Sequence, residues 1–214
     1  MEYWDGRFAY EGKIWGDIPS KSATLALSYF KDNSVRTILI PGAGYGRNSK
    51  LFSKNGIKVT GIEISERALE IAREYNPEAV FYHGSVLNMP YSNDLYDAIY
   101  CFNVLHLLLE KERTDFIKSC QNQLKINGFA FFVVFSEKEK SYGKGKKVEE
   151  NTFESKPGRP THYFTEDDLK QHFRDFSIIE TGIVQDEENH GALGYHTHVL
   201  RYILAQKMAN QENF

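Results

Sequence analysis

Three scarcities bound this chain before any motif is read. Cysteine occurs twice in 214 residues, as Cys101 and Cys120, each inside an apolar run. Neither a disulfide framework nor a cysteine-rich metal site can be built from them, and a reducing, cytoplasmic setting fits. Long apolar runs are also missing: the longest are strand-sized, far short of the roughly 20 residues that a spanning helix needs. The first residues after Met1 carry no basic region followed by an apolar one, so neither a membrane partner nor a cleaved export signal is expected. Finally, there is no excess of positive charge. Lysine and arginine number 26 against 29 aspartates and glutamates, and the net charge of -3 gives no long-range attraction to nucleic acid.

What is present is ordinary globular material, 41% hydrophobic and 26% charged, which excludes a disordered chain. At this length a single well-packed domain over residues 1–214 is expected. From Arg36 onward β-type runs alternate with helical patterns. Arg36 to Pro41, Lys58 to Ile62, Val80 to Tyr82, Tyr96 to Phe102 and Phe129 to Phe135 read as strands. Arg47 to Lys54, Ser65 to Tyr75 and Arg113 to Lys125 read as amphipathic helices, with Ser65 as an N-cap and Asn76-Pro77 as a stop. Such alternation over 36–135 means parallel strands flanked by helices.

Ahead of it, residues 1–35 form an aromatic-rich arm and one helix, Ser22 to Phe30. After it, 136–164 reads as a variable loop, since Ser136 to Pro160 is rich in lysine and glycine and lacks periodicity. Residues 165–207 then read as a short helix, with Thr165 to Asp168 as its capping box, and two strands. Those strands, Phe176 to Thr181 and His198 to Ala205, are separated by polar Gln185 to Tyr195. The expected fold is α/β and Rossmann-like: a seven-stranded sheet, mostly parallel with a reversed terminal hairpin strand, with helices on both faces.

The most informative stretch is Ile38-Leu39-Ile40-Pro41-Gly42-Ala43-Gly44-Tyr45-Gly46-Arg47-Asn48-Ser49, a strand that runs into a glycine turn and opens a helix. Glycines let a ligand approach the backbone, and the N–H groups of a helix start favour an electron-rich ligand. A dinucleotide fingerprint requires G-x-G-x-x-G, but its third glycine position here is Arg47, which disfavours NAD. The next strand ends at Glu63, about twenty residues on, where a carboxylate can accept both hydroxyls of a ribose.

With these two features the sequence resembles the class I S-adenosylmethionine-dependent methyltransferases, whose motifs are a G-x-G-x-G turn after an apolar strand and an acid at the tip of the second strand. Gly84-Ser85-Val86 resembles the family's adenine-contacting turn. Tyr96 to Phe102, followed by Val104-Leu105-His106, resembles its fourth strand and the helix after it. Pro41 and Ser85 stand where the family often has acids. The resemblance implies S-adenosylmethionine as cofactor, with Gly42, Ala43, Gly44 and Gly46 around its methionine portion and Glu63 and Ile64 at the ribose. It further implies Gly84, Ser85 and Val86 about the adenine, the Cys101 and Phe102 backbone accepting from the amino group, and Arg47 and Asn48 near the carboxylate tail. Arg47 is equally suited to a surface ion pair. Trp15, and Tyr10 on the arm, are suited either to cover the cofactor or to pack on the core. Gly44 to Ser49 is similar to the tellurite-resistance methyltransferases, and Gly61 to Ser65 to the thiopurine type.

The histidines are the remaining candidates. His190, His196 and His198 lie close together, and the last two share one strand face, but no third ligand is evident and no metal is expected. His106, His162, His196 and His198 are expected to orient the acceptor, with the lysine-bearing loop and the arm as lids. The implied activity is methyl transfer to a small-molecule acceptor, a soft nucleophile such as a thiol or a selenium or tellurium oxyanion. It would work by positioning and desolvation and without a strong base. The alternative is a noncatalytic protein of the same fold that binds the cofactor and transfers nothing.

Overall fold

The computed structural model describes residues 2–189 and 194–209; His190 lies outside the described residues. The elements in chain order are α1 (Glu2–Glu11), α2 (Lys21–Asp32), β1 (Thr37–Pro41), α3 (Arg47–Lys54), β2 (Lys58–Glu63), α4 (Glu66–Tyr75), β3 (Val80–His83) and β4 (Tyr96–Phe102). They continue with α5 (Glu110–Gln123), β5 (Leu124–Phe135), β6 (Lys146–Glu149), β7 (Thr152–Lys156), β8 (Arg159–His162), α6 (Glu166–His172), β9 (Phe176–Asn189) and β10 (Tyr195–Lys207).

Seven strands form one sheet in the order β3-β2-β1-β4-β5-β10-β9. All neighbours as far as β5 are parallel, and β10 runs antiparallel to both β5 and β9. The alternation of side chains along each strand explains why the sheet is covered on both faces. Leu39, Ile99, Phe132, Val134 and Ile203 pack with Phe116 and Ile117 of α5 and Leu169 of α6. Their neighbours Ile38, Ile40, Tyr100, Phe131 and Val133 pack on the other face with Ala26 and Phe30 of α2 and Phe52 of α3. Ser65 caps α4 as expected, its hydroxyl accepting from Ala68 N at 3.1 Å. The strand order reverses between β1 and β4, and in open α/β sheets the crevice for a ligand lies at such a point, beyond the carboxyl ends of the strands.

Three expectations are corrected. The stretch 136–164 is not a loop: β6, β7 and β8 form a separate three-stranded antiparallel sheet. Its charges decorate the surface, while Phe153 packs against Tyr142 and Tyr163, with ring centroids 5.4 and 6.2 Å away, and Thr152 is fully buried. Gly145, Asn151 and Gly158 adopt positive φ at its bends, so the glycines that read as flexibility are turn residues. Second, the polar 185–195 segment does not separate two short strands. Gln185 to Asn189 pair with Tyr195 to Val199, and within that pairing the polar Asp186 and His198 lie opposite each other and are buried, so the polar run is strand and not connection. Third, Thr165 caps α6 through Asp168 N at 3.2 Å, but the Asp168 carboxylate does not close a capping box. It turns instead to His162 Nε2, at 2.6 Å, and to His172.

Candidate active site

The loops that leave β1 to β4, together with α1 and β8, line a cavity of about 450 Å³, within the range of small-ligand sites. The glycine turn after β1 contributes Gly42, Ala43, Gly44 and Tyr45, and the start of α3 contributes Arg47 and Asn48. Glu63 and Ile64 come from the end of β2, Gly84, Ser85 and Val86 from the end of β3, and Phe102, Asn103 and Val104 from the end of β4. His106, Phe135, Arg159 and His198 stand at the cavity wall, with Trp4, Phe8 and Trp15 from the N-terminal segment.

Glu63 is the organising charge. It is 7% exposed, and its two oxygens accept from Gly44 N at 2.8 Å and Ser65 N at 2.9 Å, which ties the glycine turn to the start of α4. Burial raises its pKa above the ordinary carboxylate value, against the lowering effect of these backbone donors. Gly42, Gly44 and Gly46 all have positive φ. A Cβ on Gly42 would run into the Val104 side chain, whereas one on Gly44 would meet nothing within 4 Å. Ser85 Oγ accepts from Leu87 N at 3.2 Å and its carbonyl from the Tyr91 hydroxyl at 2.9 Å, which fixes the turn after β3. Arg47 is buried, with its guanidinium 5.8 Å from the Trp15 and Phe102 rings, and Asn48 Oδ1 accepts from Ser20 N at 3.0 Å.

Two of the residues implied by resemblance do not line the cavity. Cys101 is fully buried in the sheet, where burial pushes its thiol pKa well up, and Gly46 is turned against Ala72 of α4 as the cap of α3. On the arm, Trp15 lines the cavity and stacks on Tyr45 at 6.1 Å, while Tyr10 is 91% exposed and covers nothing.

The histidines separate. Phe135 is stacked between His106, with centroids 4.1 Å apart, and His198 at 5.1 Å, forming one wall. Burial, with the neighbouring His198 and His162 imidazoles adding to it, lowers the His106 pKa to about 3, so it faces the cavity as a neutral imidazole and is no general base near neutrality. His198 Nδ1 is 2.8 Å from Glu139 Oε1. His196 is half-exposed and away from the cavity wall, with Nε2 3.5 Å from the same oxygen. Glu139 escaped the sequence reading because it is 59 residues from His198 and sits in a stretch that reads as loop. His162 also lies off the cavity, buried between Thr152 Oγ1 at 2.8 Å and Asp168. A carboxylate only accepts, so Nε2 of His162 carries the proton.

This last contact yields a prediction. Burial would raise the Asp168 pKa, but the hydrogen bonds from His162 and His172 outweigh it and hold the carboxyl well below its ordinary value. The unfolded chain therefore takes up the Asp168 proton first on acidification, and the stability contributed above the ordinary carboxylate pKa is lost as pH falls through the folded one. Urea melts of wild type and Asp168→Asn should differ near neutrality and converge at acid pH; an offset independent of pH would contradict the assignment.

Three buried polar atoms find no hydrogen-bond partner among the described residues and belong to side chains of this cavity: Trp15 Nε1, Asn103 Oδ1 and His106 Nδ1. Buried polar groups are rarely left so, and a ligand that carries both donors and acceptors would satisfy them. The paired acceptors of Glu63, the open side of Gly44 and this orphaned set fit a nucleoside joined to an amino-acid moiety.

The comparisons agree with that geometry. Residues 39–132 match a family described as "Methyltransferase domain". A curated relative, the ubiquinone biosynthesis O-methyltransferase of Nitrosomonas europaea, is 28% identical over 114 residues, covering 51% of this chain and 48% of that protein. The chain thus spans about half the length of the curated relative it matches. Among solved structures, the Burkholderia thailandensis 1,6-didemethyltoxoflavin-N1-methyltransferase, with 1,6-didemethyltoxoflavin and S-adenosylhomocysteine bound, superposes with a TM-score of 0.67 at 19% identity, covering 97% of this chain and 84% of that one. TehB from Haemophilus influenzae superposes at 0.66 with 18% identity, covering 95% and 67%. Residues 39–132 thus match a methyltransferase domain, and the chain shares the overall fold of these methyltransferase structures. No helix among the described residues is long and apolar enough to cross a membrane.

Proposed function

We propose that this chain transfers a methyl group from S-adenosylmethionine to a small-molecule acceptor, a soft nucleophile such as a thiol or a selenium or tellurium oxyanion. The observation that carries the reading is the cavity itself. It continues from the glycine turn and Glu63 to a wall of Phe135, His106 and His198, roofed by α1 and β8. When bound, the cofactor supplies an electrophilic methyl on a sulfonium.

The residues of the chain would act as follows. Glu63 would accept the ribose hydroxyls, Arg47 would pair with the carboxylate tail, and Ser85, Val86 and Phe102 would flank the adenine. His106 and His198 would orient the acceptor by hydrogen bonds, and the aromatic rings of Trp4, Phe8 and Phe135 would exclude water. For an anionic nucleophile that meets a cationic sulfonium, charge is lost in the transition state, so a dry cavity and correct alignment accelerate the step without a strong base. Arg159 supports the lid reading: its guanidinium lies 3.6 Å from the Tyr3 ring, joining β8 to α1 across the cavity mouth, and it adds positive charge there.

Incubation with S-adenosylmethionine and a panel of thiols, selenite, tellurite, small amines and a phenol, scored by release of S-adenosylhomocysteine, tests this. Turnover is expected with one of the soft acceptors. Release with the phenol alone would overturn the acceptor class, and cofactor binding with no release from any acceptor would favour the noncatalytic alternative.

A further inference from the structure

The geometry points to a divalent transition-metal site made by Glu139, His196 and His198, of the zinc class. Residues two apart on a strand share a face, and on β10 this brings the His196 and His198 rings to 4.6 Å between centroids. Opposite them, the turn that leaves β5 is closed by the Glu139 N to Ser136 O bond of 3.0 Å, and it presents a carboxylate that is only 4% exposed. Glu139 Oε1 is 2.8 Å from His198 Nδ1 and 3.5 Å from His196 Nε2, and one ligand atom from each of the three residues lies within 4.8 Å of the others.

Two imidazoles and one carboxylate suit zinc and its neighbours, and a three-ligand protein set leaves a coordination position open. Bonds of about 2.1 Å at tetrahedral angles set ligand atoms about 3.4 Å apart. The His196 to Glu139 separation already meets this. The His198 to Glu139 pair would open by roughly 0.6 Å as the metal replaces the bridging proton. His196, with 42% of its side chain exposed, has room to turn inward. The second oxygen of Glu139 accepts from Val199 N at 2.7 Å, and His198 is stacked on Phe135; such outer contacts orient metal ligands. A bound ion would clamp the turn after β5 onto β10 and fix His198, which lines the cavity. The inference stands apart from the methyl-transfer reading, because it needs neither cofactor nor acceptor.

The test uses the full chain, stripped with a chelator and titrated with cobalt(II) chloride, whose visible ligand-field absorption reports coordination, followed by displacement with zinc chloride. One cobalt per chain is expected, reversed by zinc. His196→Ala and Glu139→Gln should each weaken binding by at least about tenfold. His172→Ala, remote from the cluster, should leave it unchanged. His196→Ala alters a half-exposed side chain, and an unchanged melting temperature of the metal-free variant would separate lost binding from lost fold. Absence of the absorption, or binding that survives both ligand substitutions, would overturn the site and leave a hydrogen-bonded triad only. Calorimetry of S-adenosylmethionine on the same stripped protein reads the cofactor site separately, so either proposal can fail without the other.

Discussion

Glu63→Ala should bind S-adenosylmethionine about 10- to 150-fold more weakly than wild type, the equivalent of about 1.5 to 3 kcal/mol for a charged hydrogen bond. The substitution also strips the acceptor from Gly44 N and Ser65 N, so a fall in melting temperature should accompany it. Glu63→Gln separates the two effects. Its amide oxygen can still take one backbone donor, but it cannot offer two acceptors to a ribose while holding the turn. Acid dependence adds a sharper signature. Because burial raises the Glu63 pKa, the side chain begins to protonate above the usual carboxylate range, and a protonated carboxyl loses an acceptor. Cofactor affinity should therefore decline on acidification in wild type and stay flat through the same window in Glu63→Gln. The sign for stability is the reverse: a raised folded pKa favours the native state below the unfolded pKa, and that advantage is lost as pH rises through the folded value. Calorimetry at several pH values, with thermal melts in parallel, measures both. Parallel decline in the two proteins would remove Glu63 as the titrating ligand.

The parts of this protein that could be read from the sequence are those in which local chemistry and fold agree. β1 announces itself because Ile38, Leu39 and Ile40 are all buried, two toward α2 and α3 and one toward α5 and α6, so the run is apolar without alternation. Glu63 announces itself by ending the next strand after the glycine turn. The three-stranded sheet did not, because its strands bury few side chains: Thr152 and His162 are buried and Phe153 packs half-buried against two tyrosines, and a pattern of lysines and glycines hides them. The histidines show the same limit from the other side. Residue type nominated four, but only the pairing of β10 with β5 and the turn after β5 decide that His198 reaches the cavity while His162 points to Asp168. Glu139 carries no local signal, and its role exists only through contacts some sixty residues distant.

The glycine turn permits a comparison that separates a turn made for its own geometry from one made for a ligand. Gly42 and Gly44 both have positive φ, +69° and +56°, so alanine at either position should cost about 1 to 2 kcal/mol of backbone strain. Gly42→Ala would in addition drive its Cβ into Val104, and overpacking adds about 1 to 3 kcal/mol. Its main effect should be a large fall in stability, visible as a lower melting temperature with or without cofactor. Gly44→Ala has no such neighbour within 4 Å, so its stability cost should stop at the strain. The added methyl group would stand at the cavity wall beside the N–H that Glu63 holds, where the methionine portion of the cofactor is proposed to lie. Affinity for S-adenosylmethionine should therefore drop by at least about tenfold, some 1.4 kcal/mol, in a protein that remains folded. The pair should thus cross over, with Gly42→Ala worse in the melt and Gly44→Ala worse in calorimetry relative to its stability loss. If Gly44→Ala bound the cofactor as wild type does, the open space beside that residue would belong to the turn alone, and the cofactor would have to lie elsewhere along the strand ends.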